Sequence, residues 1–213
     1  SAPDFHATWL DASVAAQTMS DEQKRGFLTA YMGGRKERWW KVPRAFENAH
    51  LRWEIVMDIG AYRDLHRHRM HTQDRQLLTI HHGFAVPQEI QEAGLEADYR
   101  NPLERVKMLF HHLESDNPLL AQYVVPLAYR IRFYQDQNAR QFFWETELRT
   151  GPQGHPDYRR IEQEKFRIFS RHFPLLAPFV KVDMNDYPIA RRGESERAAA
   201  KETKLLGELG KRS

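Results

Sequence analysis

Two short segments concentrate the residues able to do chemistry. Arg67-His68-Arg69 sets two permanent cations around a titratable imidazole, a combination that suits an anion such as a phosphate ester. Further along, Asn138-Ala139-Arg140 is followed by Leu148-Arg149. Asn138 has the side chain of a helix N-cap and can satisfy a free backbone N–H of the first turn. Arg140 then falls in that first turn, where the helix dipole disfavours a cation, so the charge points to an anionic partner. Arg149 falls at the other end of the same helix, where a cation complements the dipole and needs no special function on local grounds.

Five histidines crowd one stretch: His66, His68, His71, His81 and His82. Zinc requires ligands converging on one point, with further groups orienting them. No His-Glu-x-x-His spacing is present, so solvated or hydrogen-bonded histidines are expected and no metal is predicted. The chain has no cysteine, which excludes disulfides, thiolate metal sites and cysteine nucleophiles. It has no glycine-rich phosphate loop and no nucleophile elbow, which argues against dinucleotide folds of the Rossmann type and against serine hydrolases. In Arg35-Lys36-Glu37-Arg38-Trp39-Trp40, basic residues flank two tryptophans. That pattern can stack on a base or ring, but the expectation here is an apolar anchor with a solvated basic flank.

The elements that must position these residues follow from periodicity. A helix is predicted over Asp21–Met32, with Ser20 and Gln23 forming a capping box and Gly33-Gly34 ending it. Leu51, Ile55, Ile59 and Tyr62 recur at helical spacing, so one helix is predicted through about His68, with Asp64 and His68 one turn apart and able to pair. Asn101-Pro102-Leu103-Glu104 predicts a helix start, and Asn117-Pro118 another. Leu127 to Phe133 alternates, with Arg130 and Arg132 on the polar face, and is the best strand. A helix from Ala139 to Thr150 follows Asn138. Pro156 opens one more, to about His172, with Ile161, Phe166 and Phe169 inward. Residues 173–192 are predicted to be extended, and further strands have room around Tyr31–Trp40 or Phe84–Ile90. From Gly193 the Ala, Glu, Lys and Arg tail reads as a helical or frayed appendage. The expected organisation is an N-terminal helical extension over 1–42, a core over 43–175, and a charged arm or linker over 176–213.

The chain has 213 residues, 41% of them hydrophobic, and a net charge of +3. That supports a sizeable core and a mild preference for anionic ligands, without arguing for nucleic acid. No apolar run approaches the roughly 20 residues that span a bilayer, and no signal segment opens the chain. With the absence of cysteine this suits the cytoplasm. The opening Ser-Ala-Pro lacks an initiator Met, which is read as a trimmed or excised fragment.

Taken together, the motifs resemble those of flavin-dependent thymidylate synthases. That family carries an Arg-His-Arg motif, matched by Arg67-His68-Arg69, and a later strand leading into Asn-Ala-Arg and a helix ending in Leu-Arg. Val125-Pro126 through Asn138-Ala139-Arg140 to Leu148-Arg149 matches this second part with the same internal spacing. Arg44-Ala45-Phe46-Glu47 resembles the family's Phe-Glu-His turn. The resemblance spans about residues 43–172. It implies an α/β (α+β) fold with an antiparallel sheet packed with long helices, assembled as a homo-oligomer (dimer or tetramer) with FAD between subunits. It implies methylation of dUMP to dTMP, with methylenetetrahydrofolate and NADPH as co-substrates. By similarity Arg67, His68, Arg69, Asn138, Ala139 and Arg140 would contact FAD. Arg149 would be catalytic, holding the uracil edge and favouring its ionisation at N3.

The pattern also departs from the family. Where it places Ser, Glu and then Ser-x-Arg-Tyr after the first motif, this chain has Thr72, Arg75 and Leu77-Leu78-Thr79-Ile80. Gln122 stands in place of an arginine for the nucleotide phosphate, Asp64 in place of a glutamine, and Pro43 and Asn48 in place of two histidines. Loss of phosphate arginines should weaken dUMP binding strongly. Arg75, Arg130 and Arg132 can supply a rearranged anion site, with Arg75 and Gln122 as substrate-binding candidates beside Arg149; equally, Arg130 and Arg132 can line a solvated sheet face. The segment Arg75–Thr79 with His82-Gly83 resembles a branch in which two such domains share one polypeptide. Two functions therefore stand side by side: a divergent synthase acting on dUMP or a related pyrimidine, or a FAD-binding half-site domain that needs an intact partner domain. A nucleic-acid module resting on charge and Trp39-Trp40 alone is disfavoured.

Overall fold

A computed structural model describes residues 6–187 and 196–204. The N-terminal part contains α1 (Trp9–Thr18) and α2 (Asp21–Met32). The expected box at the start of α2 is formed: Gln23 N donates to Ser20 Oγ at 3.2 Å and Ser20 N to Gln23 Oε1 at 2.9 Å. Gly33 ends the helix at φ +60°, a conformation that a Cβ would disfavour.

The centre is a mixed α and β unit around an antiparallel sheet. Its strands are β1 (His50–Asp58), β2 (Thr72–Arg75) and β3 (Arg130–Asn138), in the order β1-β3-β2. β1 and β3 pair along their full length, from His50 opposite Asn138 to Asp58 opposite Arg130. Each of these two strands runs directly into a helix. β1 leads into α3 (Ile59–Leu65), where Ala61 N donates to Asp58 Oδ1 at 2.6 Å. β3 leads into α7 (Ala139–Arg149), where Gln141 N donates to Asn138 Oδ1 at 2.8 Å. The remaining helices are α4 (Gln88–Glu92), α5 (Glu96–Asp116), α6 (Pro118–Ala121) and α8 (Pro156–His172).

The single helix expected from Leu51 to His68 is not formed: this stretch is strand, then a short helix, then loop. Residues four apart also lie on one face of a strand, because four is a multiple of two. Leu51, Ile55 and Ile59 therefore fit both periods. Trp53 and Met57, packed inward beside them, decide for the strand. The strand expected over Leu127–Phe133 is correct in phase, with Ile131 and Phe133 buried, but displaced in extent. It runs on to Asn138 because Gln135 and Gln137 continue the buried face.

The helix start expected at Asn101 is also corrected. α5 begins at Glu96 and carries Pro102 as its seventh residue, past the first turn, where the missing N–H forfeits one helix hydrogen bond that the packing of the helix must offset. The start at Asn117-Pro118 is formed, with Leu119 N donating to Asn117 Oδ1 at 3.0 Å. α8 spans the predicted range with Phe169 buried. Neither 31–40 nor 84–90 forms a strand; Phe84 makes an isolated bridge to Tyr129. Within the stretch expected to be extended, Ala177–Phe179 is a 3-10 turn. In the tail, residues 196–204 are helical, and 188–195 and 205–213 lie outside the described residues. No described helix is long and apolar enough to cross a membrane.

Two apolar clusters hold the unit together. One joins Ile55, Met57, Tyr62, Leu65, Phe110 and Phe133. The other joins Met32, Val42, Phe46, Phe142, Phe143 and Phe169, and so packs residues flanking the 33–42 loop onto α7 and α8. Trp53 touches both. Along β3 the positions between the clusters are Gln135 and Gln137, which open a buried polar seam.

Candidate functional site

Asn138 is the N-cap expected of it. Arg140, in the first turn of α7, finds its anionic partner within the chain: Nη1 donates to Glu47 Oε1 at 2.6 Å and Nε to the Val42 carbonyl at 2.8 Å. Arg44 approaches the same carboxylate at 3.1 Å. Hydrogen bonds from Arg44 first, and from Arg140 second, hold the Glu47 carboxyl below its ordinary range. The helix-start cation is thus explained locally, although two arginines share one carboxylate.

The Arg67-His68-Arg69 segment lies in the loop after α3, not on a helix. Its members diverge. His68 turns inward and is 8% exposed. Its Nε2 accepts from Arg149 Nε at 2.7 Å, and Arg149 Nη2 donates to the Asp64 carbonyl at 2.7 Å. The Arg149 guanidinium lies over the Tyr158 ring, 5.3 Å from its centroid. Residues from the two distant motifs therefore meet directly, and the pairing expected of Asp64 with His68 is replaced by Arg149 bridging both. With Nε and Nη2 committed, Arg149 keeps Nη1 without a hydrogen bond to any described residue. Gly154 packs against the same helix end: a Cβ there would sit 2.9 Å from the Arg149 carbonyl. Arg67 and Arg69 point outward. Arg67 is 72% exposed on its side chain, with Asp64 at 3.6 Å; Arg69 and the following Met70 are exposed.

Burial first, and the Arg149 cation second, push His68 down to about 3. A neutral ring that accepts at Nε2 carries its proton on Nδ1. The nearest Gln141 atom to it is the amide nitrogen, itself a donor, 3.5 Å away, so in this tautomer the two do not hydrogen-bond.

Behind His68 lies the polar seam. The His71 ring is near-parallel to that of His68, with centroids 6.2 Å apart, and Gln135 Nε2 approaches His71 Nδ1 at 3.1 Å. Gln135 Nε2 also donates to Glu145 Oε2 at 2.6 Å. Lys165 Nζ lies 3.4 Å from Glu145 and 3.0 Å from Glu162, and Thr146 bonds the other Glu162 oxygen at 3.1 Å. All three ionisable side chains are at most 4% exposed. One ammonium cannot neutralise two buried carboxylates. Burial accordingly raises Glu162, with Lys165 opposing and Glu145 reinforcing the rise. Lys165 itself is raised: its own burial lowers it, and the two carboxylates together outweigh that.

The histidines make stability depend on pH. His71 is pushed down to about 4 by burial first and by Lys165 second. Between those depressed values and 6.5 the unfolded chain binds protons that the fold excludes, so stability falls as pH falls below 6.5. Each histidine contributes about 1.4 kcal/mol per pH unit once the window is entered. Glu162, raised in the fold, takes up its proton there earlier than in the unfolded chain and acts in the opposite direction. Of these three groups, two histidines against one carboxylate leave a net loss of stability on acidification towards pH 5, and His82, also lowered by burial, acts in the same direction. Urea midpoints measured from pH 7 to 5 should fall accordingly, and His71→Leu should flatten the slope.

Beside the α7 corner is a cleft of about 690 Å³. Its lining combines Asn138, Arg140, Gln141 and Trp144 from the β3–α7 corner with Arg38, Trp39, Trp40, Lys41 and Arg44 from the segment before β1, and Met70. The tryptophans are not the apolar anchor expected of them: Trp39 is 67% and Trp40 45% exposed. The anchor of this loop is Arg35, which forms a forked ion pair with Glu147 of α7, Nη1 to Oε1 at 2.7 Å, both side chains almost fully buried.

Arg75 and Gln122 do not join this constellation. Gln122 Oε1 accepts from Leu78 N at 3.0 Å, and Arg75 is exposed, its hydrogen bond among the described residues being a long one to the Gln76 carbonyl. Arg132 pairs across the sheet with Glu54 at 2.7 Å, as a solvated sheet face requires. His81 pairs with Glu114 at 2.8 Å and His82 approaches Gln76 at 3.1 Å. No group of three or more metal-ligating side chains converges among the described residues. Sequence reading missed Gln135, Glu145, Glu162 and Lys165. Their signal was the odd-numbered phase of β3 continuing past Phe133, and the three-residue spacing of Glu162 and Lys165 on one helix face.

Comparison with known proteins adds the family context. A profile of the Thy1 family, described as thymidylate synthase complementing protein, matches residues 5–175. A UPF0159 protein of Chlamydia pneumoniae is 38% identical over 180 residues, covering 84% of this chain and 34% of that protein. One of Chlamydia muridarum is 36% identical over 194 residues, covering 91% and 37%. The UPF0159 protein Ta1429 of Thermoplasma acidophilum is 35% identical over 160 residues, covering 74% and 32%. The chain thus spans about a third of the length of the curated relatives it matches.

Proposed function

The chain belongs to the family of thymidylate synthase complementing proteins, and from that premise we propose that it is a flavin-dependent thymidylate synthase-type domain. In this reading it holds FAD and serves the reductive methylation of dUMP, or of a related pyrimidine nucleotide, with methylenetetrahydrofolate and NADPH as co-substrates. FAD, when bound, supplies the reducing equivalents that convert the transferred methylene to methyl. The observation that carries the reading is the contact of Arg149 with His68, 2.7 Å long. It unites the two motifs that this chemistry needs.

The residues fit an anionic dinucleotide. The cleft beside Asn138, Ala139 and Arg140 carries more cationic than anionic side chains and several flat rings. Exposed Arg67 and Arg69 add positive charge on a neighbouring loop. Arg149, fixed through Nε and Nη2, has Nη1 available for the carbonyl edge of a pyrimidine. A guanidinium held in this way favours a ring ionised at N3, because it does not reorganise as the charge develops.

A second reading is a half-site domain completed by a partner domain or a second copy. It is favoured by Gln122 and Arg75, which touch neither Arg149 nor His68 although a nucleotide phosphate needs cations. It also suits relatives about three times as long as the matched segment. A flavin absorption spectrum of the purified protein, with and without added FAD, tests the cofactor. Tritium release from C5-labelled dUMP, with folate and NADPH, tests catalysis. A colourless protein that takes up no FAD would overturn both readings. Release only with the partner domain present would select the half-site.

A further inference from the structure

The loop before β1 holds two tryptophans in the open without an apparent structural reason. Trp39 is 67% exposed, Trp40 45% and Trp144 of α7, which lines the same cleft, 49%. None of the three packs face-to-face or edge-on with another aromatic ring among the described residues. The loop that carries the first two is nonetheless firmly built. Arg35 donates from Nη2 to the Arg38 carbonyl at 2.6 Å and from Nε to the Trp40 carbonyl at 2.8 Å. Its own charge is met by Glu147 in a buried forked pair. The backbone from 35 to 40 is therefore clamped from inside while its rings face the cleft.

The charges on this cleft are unbalanced. Glu147 answers Arg35, and the single carboxylate of Glu47 is shared by Arg44 and Arg140. Arg38 and Lys41 have no ion-pair partner among the described residues. Clamped, exposed rings beside uncompensated cations match one ligand chemistry, a flat heterocycle bearing phosphate. Stacking serves the ring and the cations serve the phosphate. An apolar protein segment would use the rings and leave the cations buried and unpaired.

We propose that the Arg38–Lys41 turn is a nucleotide-stacking arm, in which Trp39, Trp40 and Trp144 receive the ring of a dinucleotide and Arg38 and Lys41 its phosphates. Identification of that dinucleotide as FAD rests on the function proposed above. The arm itself rests on the cleft.

Binding to the purified chain is measured by quenching of tryptophan emission, with FAD, FMN and ADP as separate probes. Trp39→Ala and Trp40→Ala should each weaken binding of FAD by about 10-fold or more, with unchanged circular dichroism. Lys41→Gln should reduce the salt dependence of binding. FMN and ADP distinguish which ring of FAD is stacked, because only one should share the sensitivity to the tryptophan variants. FAD and ADP binding unaltered in both tryptophan variants would overturn the arm and leave the flavin reading standing. ADP binding that depends on Trp39 or Trp40, with no FAD binding, would remove the flavin reading and support the arm. No binding of any of the three probes, or tighter binding of a thymidine oligonucleotide than of all three, would overturn the arm.

Discussion

Replacing Lys165 by methionine is expected to destabilise the protein by about 3–5 kcal/mol. The ammonium is fully enclosed and lies within 3.4 Å of Glu145 and 3.0 Å of Glu162, so its removal leaves a buried carboxylate without compensation. Glu162 still accepts from Thr146, whereas Glu145 Oε1 has no hydrogen-bond partner among the described residues, so Glu145 is the carboxylate that loses most when the ammonium goes. Lys165→Met combined with Glu145→Gln should therefore recover most of the loss, since both charges of the pair disappear together. Urea midpoints at unchanged m-value provide the measurement. A double variant no more stable than the single one would show that the charge sits elsewhere in the seam.

On the function proposed above, Arg149→Ala is expected to lower turnover by at least about 100-fold while flavin stays bound, measured on whichever assembly releases tritium from labelled dUMP. Arg149→Lys should not restore it. An ammonium can replace the charge, but not the planar fork that bonds His68 Nε2 and the Asp64 carbonyl at once. An independent readout follows from the same contact. The Arg149 cation helps to depress His68, so its loss should move the His68 titration upward in an NMR pH series. Turnover unchanged in the alanine variant, or restored in the lysine variant, would remove Arg149 from the reaction. A His68 titration that does not move would break the proposed coupling of the two motifs.

The capped helix starts were legible because capping is local. Ser20 with Gln23, Asn117 with Pro118, and Asn138 ahead of α7 each complete their bonds within three residues. The segment from Leu51 to His68 was misread for an equally local reason, since a spacing of four residues fits strand and helix alike. Asn101-Pro102 looked like a start because a proline near a helix N-terminus carries no mark of how many residues precede it. Arg35-Lys36-Glu37-Arg38-Trp39-Trp40 reversed its expected roles. The charged residue became the buried anchor because Glu147, far away in the chain, was there to meet it.

By itself the sequence determined the chemistry available: no thiol, an Arg-His-Arg triplet, a capped helix start followed by arginine, and a helix ending in Arg149. Those are properties of residue type and short spacing. Only the tertiary structure decided how they are used. It turned His68 inward to Arg149, gave Arg140 to Glu47, left Arg67 and Arg69 outside, and buried Lys165 between two carboxylates. Each of these outcomes depends on the distance between side chains from different elements. Burial then sets the energies, because a charge or imidazole removed from water is governed by whichever partner the fold places beside it.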